Sequence, residues 1–134
     1  MVESLARHAL FADVTADTLA KLTETVSEQT FDEGAWVLRE GDENCGLHVI
    51  LEGDAAVVIG GEERAVIHTG MFFGEISALL DEPVSADVFA RTPLRCAVIE
   101  RDKLIPFLLA NPSVTFRLLQ AEVRRLADTN RWRA

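Results

Sequence analysis

The stretch FFGEISALLDEPVSADV, at positions 72–88, has the residue types of a small-molecule site. A glycine precedes a short helix start, and small residues follow on an extended run. Backbone amides at a helix start favour an anion. The same stretch carries four carboxylates, Glu75, Asp81, Glu82 and Asp87, and no basic residue. Its backbone pattern therefore favours an anion, whereas its side chains oppose one.

Catalytic and metal chemistry find little support in the rest of the sequence. The three histidines, His8, His48 and His68, lack the clustered spacing of a metal site on a β-roll, and no nucleophile-elbow motif occurs. Both His48 and His68 fall in strand-like runs, where packed or rim histidines are common. Cys45 and Cys96 lack CxxC spacing and are typical of free thiols in a reducing cytoplasm. We therefore expect a cytoplasmic protein with no enzyme activity, catalytic residue, metal or cofactor.

The charge is acidic overall and unevenly distributed. The net charge of -9 opposes the phosphates of nucleic acid, so direct nucleic-acid binding is not expected. Positions 113–134 carry only two acids but five arginines, which are expected on a solvated helix face: Arg117, Arg124, Arg125, Arg131 and Arg133. No run of 18 uncharged apolar residues occurs, and membrane insertion is not expected either.

The first segment, positions 1–29, is predicted to be helical. Thr15 is a good N-cap residue, and the helix after it carries apolar residues at spacings of three and four: Leu19, Leu22 and Val26. A short helical turn is expected before this helix, with Leu10 and Phe11 packed beneath it.

The middle segment, positions 30–100, is predicted to be a small antiparallel β-roll or jelly roll. Short runs rich in Val, Ile and Phe alternate with turn signals every 8 to 12 residues, as is typical of such sheets. The strand candidates are AWVLRE, LHVILE, AAVVIG, RAVIHT, SADVFA and LRCAVIE. The run ISALLDE interrupts them and predicts a short helix near 75–81. The fold class is therefore α+β and mainly β, with about eight strands in a single domain over 1–134.

The last segment, positions 101–134, is predicted to form two helices. Asp102 is expected to cap the first, with Pro106 in its first turn, and Asn111 with Pro112 begins the second. The second helix carries an apolar stripe that either packs on the roll or pairs with a second chain in a homodimer: Phe116, Leu119, Val123 and Leu126.

The order of these segments, together with three motifs, resembles the cyclic-nucleotide-binding domain family. The motifs are REGD at 39–42, LEGD at 51–54 and FGE at 73–75, in the family's order and spacing. The resemblance covers nearly the whole chain. It implies a regulatory β-roll whose ligand is cyclic AMP or cyclic GMP.

The resemblance also implies a role for each part of the 72–88 stretch. Gly74 lets the backbone approach a ligand, and Glu75 accepts a hydrogen bond from a ribose hydroxyl. Amides at the start of the short helix point at the cyclic phosphate. An arginine after the proline completes the family's phosphate site, and here Val84 stands in its place. The implied pocket residues are Phe73, Gly74, Glu75, Ile76, Ser77, Val84, Ser85 and Ala86.

Loss of that arginine lowers the expected affinity for a cyclic nucleotide. A desolvated, charge-assisted contact to phosphate contributes about 2 to 5 kcal/mol, which is roughly thirtyfold to several thousandfold in affinity. Other arginines are alternative sources of the charge: Arg64, Arg91, Arg124 and Arg125.

Two functions follow from these observations. The first is an interaction module that has kept the fold, binds cyclic nucleotide weakly or not at all, and serves an unknown protein partner. The second is a sensor of a cyclic nucleotide, or of an uncharged nucleoside-like molecule that uses Glu75. Such a sensor would reposition its C-terminal helices on binding.

Overall fold

Two four-stranded antiparallel sheets form a β-roll in the computed structural model, which describes residues 1–130. The first sheet has the strand order β1, β8, β3, β6, and the second has the order β2, β7, β4, β5. The strands are β1 Val26–Phe31, β2 Trp36–Leu38, β3 Leu47–Glu52, β4 Ala55–Ile59, β5 Glu62–Ile67, β6 Phe72–Phe73, β7 Asp87–Ala90 and β8 Leu94–Ile99. The expected roll of about eight antiparallel strands is confirmed.

Helices flank the roll at both ends, and one short helix interrupts it. They are α1 Val2–Arg7, α2 Ala16–Leu22, α3 Glu75–Leu80, α4 Arg101–Ala110 and α5 Pro112–Asn130, with a 3-10 helix at Ala9–Phe11. The expected interruption near 75–81 is α3. Arg131 and Arg133 of the arginine-rich tail lie outside the described residues.

Strands β3, β6 and β8 of the first sheet are buried on both faces along most of their length. On β3, Val49 belongs to the core beneath the helices, whereas its neighbour Ile50 belongs to the core inside the roll. The short strand β6 divides in the same way, because Phe72 faces the helices and Phe73 faces the roll interior. Successive side chains of a strand point to opposite faces, so this sheet separates two apolar cores. Its place between the cores explains the almost unbroken apolar run LHVILE.

The N-terminal helix is shorter than its apolar spacing predicts. Helix α2 ends at Leu22, and Val26 begins strand β1, opposite Ile99 of β8. The assignment of Val26 to the helix and of positions up to 29 to the helical segment is therefore wrong. The remaining residues of β1 are mostly polar and exposed, so the strand lacks a hydrophobic alternation. The segment becomes a strand because it pairs with β8, and its local sequence pattern does not predict one.

Helix α4 begins before the predicted cap. It starts at Arg101 with Glu100 at the N-cap position, so Asp102 lies inside the first turn. Arg101 donates a 2.6 Å hydrogen bond to Asn44 and forms an ion pair with Asp81, and these contacts hold the start of the helix. Pro106 consequently lies in the middle of α4 and not in its first turn.

Helix α5 packs through a different face from the stripe singled out in the sequence. Val114 and Leu118 are buried against the helical core, and Ala121 is half-buried against it. The stripe predicted to pack on the roll or pair with another chain is more than half exposed: Phe116, Leu119, Val123 and Leu126. Packing of that stripe on the roll is therefore wrong. Within the described residues, each helix is too short or too polar to cross a membrane.

Candidate functional site

All eight pocket residues inferred from the sequence line one cavity of about 210 Å³. Residues 73–77 form one wall, and Val84, Ser85 and Ala86 form another. Side chains of the roll add an apolar surface: Leu38, Val57, Ile67 and Val88. Glu82, Pro83 and Arg125 complete the lining. The structure thus brings the 72–88 stretch, the roll and α5 together around a single space.

Gly74 positions the first wall of this cavity. It has φ of 84° and precedes α3, in a conformation that other residues rarely adopt. A Cβ at this position would lie 2.5 Å from the carbonyl oxygen of Gly46. The glycine is therefore required both by its backbone angle and by the closeness of the neighbouring chain. It lets the chain turn directly from strand β6 into α3 against the start of β3.

His48 supports the same turn from beneath. Its Nδ1 donates a 3.0 Å hydrogen bond to the Gly46 carbonyl, and its ring stacks on Phe73 with 4.8 Å between centroids. Burial lowers the pKa of His48. His68, in contrast, is exposed and lies 2.8 Å from Asp54. The first histidine is a packed residue and the second is a rim residue, as the sequence suggested.

Glu75 forms the polar centre of the cavity and contacts α5. Its side chain is only 5% exposed, and Oε1 accepts a 3.0 Å hydrogen bond from Arg125 Nη1. Arg125 also donates to the Phe72 carbonyl at 2.7 Å, and its guanidinium carbon lies 4.4 Å from the centre of the Phe72 ring. Arg125 Nη1 further bonds Glu122 at 3.3 Å. The arginine therefore connects α5 to both β6 and α3.

Burial has the largest effect on the pKa of Glu75. Desolvation, reinforced by the nearby Glu122 carboxylate, raises the pKa of Glu75 to about 7, and Arg125 only partly opposes that rise. Buried carboxyls lose the hydration that stabilises their charged form, which is the physical reason for the direction.

Val84 occupies a buried position in the lining of the same cavity. Its side chain is 7% exposed and belongs to the apolar core inside the roll. Its backbone makes two bonds to the loop that contains the REGD motif: Val84 N to Asp42 O at 2.9 Å and Gly41 N to Val84 O at 2.8 Å. The motif therefore fixes the backbone of Val84, and the side chain completes an apolar surface.

The four carboxylates of the 72–88 stretch have separate environments. Only Glu75 and Glu82 line the cavity. Asp81 pairs with Arg101 at the start of α4, and Asp87 accepts a 2.7 Å hydrogen bond from the Glu40 amide. Asp87 thus stabilises the roll at the end of β2. The expected crowding of negative charge around a ligand is smaller than the sequence suggested.

The fold also places the four arginines that were considered as alternative sources of positive charge in different surroundings. Arg64 pairs with Glu62 and Arg91 pairs with Glu63, both away from the cavity. Arg124 lines a different groove, beside the 3-10 helix. Of these four, only Arg125 lines the cavity.

Part of the lining was not found by sequence reasoning. Leu38, Val57, Ile67 and Val88 are ordinary strand residues, whose only signal is their hydrophobicity. Their common direction depends on the pairing of β2, β7, β4 and β5, which is a property of the sheet. Within residues 1–130, histidine, cysteine and carboxylate side chains form no cluster of three or more that would hold a metal ion.

Residues 28–111 match the family model described as the cyclic nucleotide-binding domain. The chain belongs to the cyclic nucleotide-binding domain family. Strands β2 to β8, the Gly74 turn and α3 all lie within the matched region.

Relatives of this family member include proteins of different kinds. The N-terminal domain of a transcriptional regulator from Streptomyces coelicolor A3(2) is 33% identical, with a TM-score of 0.69, over 95% of this chain and 94% of that one. A cGMP-dependent protein kinase of Plasmodium berghei is 36% identical over 80% of this chain and 12% of its own length. A cAMP-binding acyltransferase from Mycobacterium smegmatis is 27% identical, with a TM-score of 0.81, over 95% of this chain and 41% of that one. This chain therefore spans only a small part of the length of that kinase.

Proposed function

We propose that this cyclic nucleotide-binding domain is a non-catalytic regulatory or interaction module whose affinity for cyclic AMP and cyclic GMP is weak. The observation that carries the proposal is Val84. Its side chain presents buried apolar surface at the position that the family resemblance assigns to the phosphate-binding arginine. A phosphate next to this surface would lose hydration without gaining a charged partner there.

Among residues 1–130, Arg125 is the arginine on the cavity wall, and it does not replace the missing charge. Arg125 already bonds Glu75, Glu122 and the Phe72 carbonyl. An incoming phosphate would have to compete with two carboxylates for this guanidinium. Release of the arginine would also leave Glu75 buried beside the anion. Both effects lower the affinity for a cyclic nucleotide.

Calorimetric titration with cyclic AMP and cyclic GMP tests the proposal. We expect dissociation constants no tighter than about 100 μM, and a submicromolar constant would overturn the assignment of weak binding. The variant Val84→Arg should gain roughly thirtyfold or more in affinity, because it supplies a cation at the apolar wall. Val84→Gln is the matched control, since it adds polar length without charge and should not gain affinity.

A second candidate function is a cyclic-nucleotide sensor, and the position of Arg125 favours it. A ligand that bonds Glu75 would compete with Arg125, so ligand binding would be linked to the position of α5. In this case Arg125 would turn from Glu75 to the phosphate. The titration separates the two functions, because the sensor requires tight binding that Arg125→Ala abolishes.

A further inference from the structure

A groove of about 290 Å³ lies between α5 and the N-terminal turn, on a different part of the surface from the cavity described above. Arg117, Gln120 and Arg124 line it from α5. The 3-10 helix, the His8 before it and the turn at Gly70 complete most of its lining. The groove and the cavity have no lining residue in common. A molecule in this groove would therefore contact a separate site.

The charge of this groove is positive. Within residues 1–130, the charged residues of its lining are Arg117 and Arg124, and no carboxylate lines it. Arg117 is paired with Asp13 at 2.8 Å. Arg124 is exposed and has no carboxylate within ion-pair distance in the described chain. Burial lowers the pKa of His8, so its ring adds no charge near pH 7. Arg124 is thus the cation that the groove offers to an incoming anion.

A second groove, of about 300 Å³, adjoins the first and offers another cation. The two grooves share His8 in their linings. In the second, Arg7 is exposed and donates a 3.3 Å hydrogen bond to the carbonyl of Glu3, a backbone group without charge. No carboxylate of the described residues lies within ion-pair distance of Arg7. The other charges of the second groove, Arg95 and Glu52, bond each other at 3.4 Å.

Two such arginines are exceptional in this acidic chain. Acidic residues outnumber Lys and Arg by 22 to 13, and each of the other described arginines forms an ion pair with a carboxylate. Arg7 and Arg124 instead lie on either side of the wall that the two grooves share. Opposite charge attracts an anionic partner to such a surface.

The charge of the whole chain limits what that anion is. Nucleic acid and anionic membranes extend far beyond the two grooves, so the net charge of -9 repels them. Charges interact through salt water over only about 8 Å at physiological ionic strength. A short acidic peptide segment presents its carboxylates to the grooves and little charge to the rest of the surface. It is therefore the favoured class of partner.

We propose that the two adjoining grooves bind a short acidic segment of a partner protein. One carboxylate of the segment pairs with Arg124 and another with Arg7, and the segment lies across the shared wall at His8. The Gln120 amide, which lines the first groove, bonds the backbone of the segment. Binding holds α5 against the N-terminal turn. The proposal goes beyond the proposed function, because it names a surface and a partner chemistry and does not depend on the affinity for cyclic nucleotides.

Titration of the full chain with fluorescein-labelled tetraglutamate tests the proposal, and tetraglutamine of equal length is the neutral control. At roughly 25 mM salt, fluorescence anisotropy should give a dissociation constant tighter than about 1 mM for tetraglutamate and at least about tenfold weaker binding for tetraglutamine. Arg7→Gln with Arg124→Gln should weaken tetraglutamate binding by about tenfold, since each exposed ion pair contributes about threefold. Arg64→Gln with Arg91→Gln removes the same charge from exposed arginines outside both grooves and should leave binding within about twofold.

The location of the peptide is measured by the amide shifts of the labelled protein in NMR spectra. Shifts at Ala9, Gly70 and Gln120 support the proposal, whereas shifts confined to positions 73–77 overturn it. Equal weakening by the two double variants, or tetraglutamate binding no tighter than about 1 mM, also overturns it. Tighter binding of a deoxythymidine octamer, or of vesicles with equal parts of phosphatidylcholine and phosphatidylserine, assigns the surface to another polyanion and overturns the peptide proposal. Thermal unfolding verifies that each variant is folded. The cyclic-nucleotide titrations probe the other site, so failure here leaves the proposed weak binding unchanged.

Discussion

Arg125 and Glu75 form an ion pair at 3.0 Å although fifty positions of sequence separate them. The pair joins α5 to the first residue of the short helix α3. Arg125 is further held by the Phe72 carbonyl and ring. One side chain of α5 therefore contacts both the buried glutamate of the cavity and the strand before it.

The first prediction concerns Arg125 and its neighbour. Arg125→Ala should lower the free energy of unfolding by about 1 to 3 kcal/mol, because Glu75 stays buried without its cationic partner. The C-terminal half of α5 should also exchange its amide hydrogens faster. Arg124→Ala is the matched control, since Arg124 is exposed and does not line the cavity; its effect should stay within about 0.5 kcal/mol. Urea unfolding and hydrogen exchange measure both effects. Equal effects of the two substitutions would contradict the assigned role of Arg125.

The second prediction concerns pH and Glu75. The pKa of this carboxyl is raised to about 7 in the folded protein from its ordinary value of 4.5. The folded state therefore binds the proton more tightly than the unfolded state does. The contribution of Glu75 to stability is complete below about pH 4.5 and decreases as the pH rises through about 7. Relative to Glu75→Gln, the unmodified protein should lose about 1 to 3 kcal/mol over this interval.

Comparison with Glu75→Gln is needed because two buried histidines titrate in the same interval. Burial lowers the pKa values of His8 and His48, so their contribution to stability is lost as the pH falls below 6.5. Their effect has the opposite sign and cancels in the difference between the two proteins. Denaturant unfolding at a series of pH values measures that difference. A difference that does not change with pH would show that the Glu75 pKa is not raised.

The third prediction concerns the exposed apolar stripe of α5. Leu119 and Val123 are 57% and 55% exposed, and together with Phe116 and Leu126 they have the spacing of a helix-pairing face. We expect homodimerisation through this stripe, and Leu119→Glu with Val123→Glu should lower the dimer fraction by at least about tenfold in association constant. Light scattering after size-exclusion chromatography measures the mass. Gln120→Glu, on the same helix but outside the stripe, is the control. A monomer at high micromolar concentration would rule the homodimer out.

Much of the fold was predictable because its signals are local. Turn residues between short β-branched runs predict a roll, and the glycine before ISALLDE predicts an interrupting helix. Strand β1 was missed because its residues are mostly polar and exposed, and only pairing with β8 makes them a strand. The early start of α4 was missed because contacts of Arg101 with Asn44 and Asp81, far away in sequence, hold it.

The sequence by itself was enough to predict eight residues that line the candidate cavity. The FGE triplet and the residues after Pro83 are short-range patterns, and all eight inferred residues line one space. The tertiary structure alone decided which charges reach that space. Asp81 and Asp87 are directed into other contacts, Arg125 is brought in, and two oxygens on α3 are left without partners. The reason is physical: electrostatic interactions depend on distances of a few ångströms, and those distances are set by how sheets and helices pack.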